Sequence, residues 1–90
     1  MSKIIKWLKE NGIDFEQVRE GCVVILLEKD CVWVNGFGEE MKYDKRIAVY
    51  KNTYNDYIIT ETAGYNRTTK MFHGTRANDA IKVLKERLVK

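Results

Sequence analysis

The side chains best suited to covalent chemistry belong to Cys22, Cys31 and His73, the two cysteines and the single histidine of a 90-residue chain. A cysteine nucleophile needs an imidazole within hydrogen-bonding distance, usually oriented by a third group. Both cysteines lie in apolar stretches typical of strands, where burial raises the thiol pKa and lowers its reactivity. We therefore expect no catalytic cysteine, and we expect free thiols in a reducing compartment.

The possible metal ligands and paired carboxylates do not form a recognisable site either. Cys22 and Cys31 are not at the C-x-x-C spacing of a zinc site, and the histidine adds only one more soft ligand. Glu39 and Glu40 are adjacent in a glycine-rich stretch, where carboxylates are normally solvated. The stretch 35–38, NGFG, lacks the Gly-Lys-Ser/Thr ending of a phosphate loop. We therefore expect no enzymatic activity, no metal, no cofactor and no small-molecule substrate.

Basic and aromatic side chains alternate in the second half of the chain. Residues 1–40 carry five Lys/Arg against eight Asp/Glu, a net −3, whereas residues 41–90 carry eleven against five, a net +6. Exposed aromatic rings among cations can stack bases and neutralise phosphates, although a total charge of +3 is small for such a protein. Nucleic-acid binding by a sheet face is therefore the alternative hypothesis. Its residues would be Lys42, Lys45, Arg46, Lys51, Arg67, Lys70 and Arg76.

The preferred hypothesis is a small, non-enzymatic protein-interaction module, of the kind that phages and mobile elements encode as accessory proteins or inhibitors. Aromatic anchors surrounded by Lys and Arg are typical of a compact protein interface. The partner would be another protein or a second copy of the chain, since a strand that is apolar on both faces needs cover on both. The predicted anchors, on one sheet face or edge, are Trp33, Tyr50, Tyr54 and Tyr57.

An amphipathic helix is expected at each end of the chain. The first is short, with Ser2 as its N-cap and Gly12 in the left-handed conformation that ends it. The second has Thr75 as its N-cap, or begins later at Asn78. Its apolar residues lie at helical spacing and form one stripe: Ala77, Ala80, Ile81, Leu84 and Leu88.

Five or six strands are expected between the two helices, and short connections favour antiparallel pairing. Residues 22–28 are apolar on both faces, which predicts a central strand covered on both sides. We expect a tight turn at Lys29 and Asp30, with residues 31–37 pairing back, and a loop over residues 35–45. The remaining strands are predicted at residues 15–19, 46–51, 57–62 and 67–73.

These elements predict one α+β domain over residues 1–90, an antiparallel sheet of five to six strands flanked by a short N-terminal helix and a C-terminal amphipathic helix. Lysines interrupt the apolar residues of the N-terminus, unlike a signal peptide. No apolar run approaches the roughly 20 residues of a membrane span. We therefore expect a cytoplasmic protein.

Overall fold

The fold is a five-stranded antiparallel sheet with a helix at each end of the chain. The computed structural model describes residues 1–64 and 67–89. Its strands follow one another across the sheet in the order of the sequence, so each strand pairs with its neighbours in the chain. This confirms the predicted α+β class, with five strands. The elements are α1 (Ser2–Glu10), β1 (Glu16–Arg19), β2 (Cys22–Val34), β3 (Glu40–Lys51), β4 (Tyr57–Thr62), β5 (Thr68–Gly74) and α2 (Ala77–Leu88).

Helix α1 begins one residue before its predicted start. Met1 is the N-cap, and the Ser2 side chain makes no capping hydrogen bond, so the prediction of Ser2 as the cap is wrong. Ile4 and Leu8, one helical turn apart, are both fully buried. Gly12 has φ +64°, the left-handed conformation predicted for the end of this helix. Ile4 and Leu8 therefore face the core, and Gly12 ends the helix so that the chain can continue to β1.

Helix α2 begins between its two predicted starts. Its N-cap is Arg76, in an extended conformation and without a side-chain cap, so both Thr75 and Asn78 were wrong predictions. Strand β5 runs as far as Gly74, and the chain needs the next two residues to leave the sheet before a helix can form. The guanidinium of Arg87, near the end of the helix, donates to the Glu61 carboxylate on β4 at 2.7 Å. That ion pair holds the helix against the sheet.

Strands β2 and β3 form a longer hairpin than the sequence predicts. The predicted turn at Lys29 and Asp30 lies inside β2, and residues 40–45 of the predicted loop belong to β3. The pairing shifts register twice along residues 26–31. At the second shift Asp30 has φ +55° and its amide donates to the Asp44 carboxylate at 3.1 Å. The polar residues that suggest a turn form bulges, which let the strand continue.

The core lies between the two helices and one face of the sheet, here called the helix face. The opposite face was predicted to be covered along residues 22–27, but no described element packs on it. Cys22 and Val24 are half-buried there, and Leu26 is 42% exposed. β2 is also the second strand, while β3 is central. The buried core consists of Ile4, Leu8, Val23, Ile25, Ile47, Val49, Tyr57, Ile59, Ala80 and Leu84.

Among the described residues, neither α1 nor α2 has the length and apolar character that crossing a membrane requires.

Candidate functional site

The face opposite the helices, here called the open face, is built from alternate residues of all five strands. The register aligns these residues in rows that cross the sheet, because directly paired residues point to the same side. One row, the central row, contains a residue from every strand. Its two end residues are exposed and its three middle residues are half-buried. In strand order, the central row is Glu16, Val24, Ala48, Thr60 and Lys70.

A second row lies next to the central row and is apolar in its middle. Cys22 pairs with Tyr50, and Tyr50 pairs with Ile58. Ile58 is only 7% exposed even though no helix lies above it. Arg19 and His73 are the two ends of this row. The middle of the open face is therefore apolar, and its edges are polar and charged.

A third row lies on the other side of the central row, and beyond it, of the described strands, only β2 and β3 continue. Leu26 pairs with Arg46, and Arg46 pairs with Thr62. The Arg46 guanidinium lies 3.2 Å from the Asp44 carboxylate, so its charge is already paired. The Thr62 hydroxyl lies 3.3 Å from that of Thr68 on β5. This row adds hydrogen-bonding groups at the edge of the apolar patch.

A shallow groove of about 430 Å³ runs along the open face near β1 and β2. Val24 and Leu26 supply its apolar floor, and charged side chains surround them. The groove is open to solvent and can accept side chains from a second surface. It is lined by Asp14, Phe15, Glu16, Val24, Leu26, Lys29, Asp44 and Arg46.

The thiols and the imidazole do not come together. Cys22 and His73 share a row but lie three strand spacings apart, about 14 Å, which is too far for a nucleophile and its base. The His73 imidazole instead lies 3.0 Å from the Asp56 carboxylate. Cys22 and Cys31 are free thiols at separate points of the same strand, β2. Within residues 1–64 and 67–89, no three His, Cys, Asp or Glu residues form a possible metal site.

The environment of Cys31 lowers the reactivity of its thiol. Loss of hydration, and then the nearby Glu28 carboxylate, raise the pKa of Cys31 above the ordinary value, while Lys45 acts in the opposite direction. The Lys45 ammonium is itself engaged by Glu28 at 3.5 Å. Because only the thiolate is nucleophilic, a raised pKa leaves less reactive sulfur at neutral pH.

The substitution Glu28→Gln should speed the alkylation of Cys31 by iodoacetamide near neutral pH by roughly two- to fivefold. It removes the negative charge that disfavours the thiolate and frees Lys45 to favour it. Peptide mass spectrometry would give the rate at Cys31 alone. The gain should disappear as the pH rises above the pKa, where the thiol is ionised in both proteins. Glu86→Gln, an equal charge change on α2, is the control, and an equal gain there would contradict this explanation.

The four predicted anchors are distributed over different surfaces. Tyr50 lies on the open face, and Tyr54 is 83% exposed in the turn between β3 and β4. Trp33 is half-buried on the outer part of the β2–β3 hairpin, where it pairs with Met41. Tyr57 is only 8% exposed on the helix face. Of the four, Tyr50 alone belongs to the open face.

Two hairpin turns share a construction that the sequence analysis missed. The side-chain oxygens of Asn35 and Asn52 each accept hydrogen bonds from the amides two and four residues further on, at 2.9 and 3.0 Å. Each turn presents an exposed aromatic ring, Phe37 (91% exposed) and Tyr54. The common sequence is Asn, any residue, Phe or Tyr, any residue, then Glu or Asp. That pattern could have identified the shared construction and the exposed Phe37 ring.

The seven basic residues of the alternative hypothesis do not share one surface. By alternation along β3, Lys42 and Arg46 point to the open side, whereas Lys45 and Lys51 point to the helix side. The Lys51 ammonium lies 4.9 Å from the centre of the Tyr57 ring. The other three are Lys70 on the open face, Arg67 just before β5 and Arg76 at the start of α2.

The fold and this surface define a class of protein: an antiparallel meander with two helices on one face and, on the other, an apolar patch that no described element covers. Comparisons of the chain with protein-family models, with curated proteins and with solved structures gave no match. The chemistry of the open face is therefore the basis for assigning a function.

Proposed function

We propose that the protein is a protein-interaction module and that the open face is its contact surface. The observation that carries this proposal is the apolar middle of that face, formed by Cys22, Val24, Ala48 and Ile58 beside Tyr50. The solvated face of an antiparallel sheet is normally polar. A contiguous apolar patch with polar edges is typical of a surface that binds another protein.

The arrangement of groups on the open face also fits a protein interface. Such interfaces have an apolar, often aromatic centre and a polar rim that keeps water out of it. Tyr50 is the aromatic group near the centre, and Thr62 and the Arg46–Asp44 ion pair belong to the rim. The shallow groove beside Val24 offers a recess for a partner's side chains.

The placement of the basic residues favours a protein partner over a nucleic acid. A phosphate backbone binds to a contiguous stripe of unpaired Lys and Arg. Here Arg46 is paired with Asp44 and Lys45 with Glu28, and Lys51 lies on the helix face. On the open face, Asp44 lies between Lys42 and Arg46, and Ala48 and threonines separate both cations from Lys70.

Site-specific photo-cross-linking tests the proposed function. A photoreactive phenylalanine analogue at Thr62, on the open face, should give an adduct with one identifiable protein in an extract of the cells that make this protein. Adding Ala48→Arg should abolish the adduct, since a long cation would occupy the apolar centre. The same analogue at Lys82, exposed on α2, is the control.

Two results would contradict the proposed function. One is the absence of any adduct from Thr62, or the same adducts from Thr62 and Lys82. The other is cross-linking to nucleic acid instead of protein, together with retention on DNA or RNA that weakens steeply with salt. That second result would favour the alternative hypothesis.

A further inference from the structure

Opposite charges lie at the two ends of the central row. Glu16 on β1 and Lys70 on β5 are both exposed, with Val24, Ala48 and Thr60 between them. Neither charge forms an ion pair with any residue that the structure describes. The two residues are four strand spacings apart, about 19 Å, so they cannot pair with each other in one chain. Water solvates both charges in the single chain, and a second surface laid on the open face could pair with both.

We infer, on the basis of the proposed function, that a second copy of this chain covers the open face, related by a two-fold axis that runs along β3. A two-fold axis parallel to the strands places β1 of one copy over β5 of the other, β2 over β4, and β3 over β3. Glu16 then faces the partner's Lys70, and Lys70 faces the partner's Glu16. Both unpaired charges are satisfied by one symmetry operation.

The residues near the proposed axis are compatible with close packing of two sheets. Ala48, the middle residue of the central row, meets the partner's Ala48 on the axis, where small side chains allow sheets to approach to about 10 Å. Val24 meets the partner's Thr60. Tyr50, two residues further along β3, faces the partner's Tyr50 across the axis, where the two rings can stack with an offset. Arg46 also lies near the axis, but Asp44 already neutralises it at 3.2 Å.

The charges distinguish this axis from a two-fold axis perpendicular to the strands. An axis perpendicular to the strands and through the central row would place each strand over its own copy. Glu16 would then face the partner's Glu16, and Lys70 the partner's Lys70, which is unfavourable at both edges. Because Glu16 lies at one end of the central row and Lys70 at the other, the charges favour the axis along β3 over the perpendicular one.

The size of the open face sets the expected affinity. Five strands at about 4.8 Å and six residues at about 3.4 Å give a patch on the order of 500 Å² per copy. This is at the low end for specific protein interfaces, which bury about 800 Å² per partner. We therefore expect a dissociation constant in the micromolar range, and a dimer that dissociates on dilution.

Charge reversal tests the proposed dimer directly. Analytical ultracentrifugation of the purified full chain, between about 1 µM and 1 mM, should show a monomer–dimer equilibrium. Glu16→Lys and Lys70→Glu should each weaken it by at least about tenfold, because each turns two attractive pairs per dimer into two repulsive ones. An equal mixture of the two variants should form a heterodimer of nearly wild-type affinity, since every pair is then attractive. Lys82→Glu, on the far side of the molecule, should have no effect.

Several outcomes would overturn the inference. One is a wild-type chain that stays monomeric at 1 mM; if the Thr62 cross-linker still captures one other protein, the proposed function stands and only the second copy is rejected. Another is a dimer whose affinity neither charge reversal changes, or two variants that do not associate when mixed. Unchanged thermal unfolding of each variant would show that the substitutions act on association and not on folding.

Discussion

The substitution Ile59→Ala is expected to lower the free energy of unfolding by about 3–4 kcal/mol, among the largest effects of any single change in this chain. Ile59 is fully buried on the helix face of β4, where it pairs with Val49 on one side and Phe72 on the other. Truncation removes buried methyl groups and leaves a cavity closed by the helices above. Urea unfolding followed by circular dichroism would measure the loss.

The matched control for this prediction is the preceding residue. Ile58→Ala removes the same atoms from the opposite face of the same strand, where no described element closes a cavity. The cost should be about half as large, because only the transfer of apolar atoms is lost. The comparison should be made at a protein concentration at least about tenfold below the measured dissociation constant, where the proposed dimer is mostly dissociated. Equal losses at the two positions would mean that the open face is covered within the single chain.

The second large effect is expected at Gly74, at the end of β5. A Cβ atom built at Gly74 would lie 2.6 Å from the tip of the Phe72 ring and 3.2 and 3.3 Å from the two adjacent ring atoms. The ring cannot simply swing away, because Phe72 packs against the core. Gly74→Ala should therefore cost about 2 kcal/mol by forcing the ring or the strand to move.

A double-mutant cycle separates this steric cause from a general effect of removing a glycine. Phe72→Leu shortens the side chain that covers Gly74, so Gly74→Ala should cost much less in that background, with a coupling of about 1 kcal/mol or more. Gly36→Ala is the control, since a Cβ there meets no atom within 4 Å and its cost should stay within about 0.5 kcal/mol. Strict additivity of the Gly74 and Phe72 substitutions would contradict the proposed clash.

The helices and the class of fold could be predicted from the sequence because their signals are local. Ile4 and Leu8 mark the buried side of α1 by their spacing, and Ala80 and Leu84 do the same for α2. Gly12 indicates the end of α1 through the conformation that only glycine adopts readily. The strands predicted at residues 46–51 and 57–62 also left residues 52–56 as the turn between them, as in the structure.

The long hairpin could not be predicted because its bulges resemble a turn in composition. Glu28, Lys29 and Asp30 are polar, and Asp30 has the left-handed backbone conformation that is common in turns. What continues the strand is the hydrogen bond from the Asp30 amide to Asp44, fourteen residues later. No local pattern reveals a bond of that kind.

The candidate site was predicted only in part for the same reason. The two-sided apolar pattern of residues 22–27 indicated a second face that needs a partner, and this remains the basis of the proposal. The positions of Glu16 and Lys70 at the two ends of one row depend on the registers of four strand pairs. Three of those registers shift at bulges or irregularities. Tyr57 was included among the anchors because aromatic type alone does not tell which face of a strand a residue occupies.

The strand order also has a consequence for how the chain folds. Hydrogen-bonded strands are always consecutive in the sequence, so the sheet can form by successive local hairpin closures. The contact between α1 and α2 is different, because it joins segments at opposite ends of the chain. The entropy cost of bringing these two segments together is smaller once the sheet has formed, because the sheet shortens the distance between them. This topology favours a folding order in which the strands pair first. The two terminal helices then pack against each other late in folding.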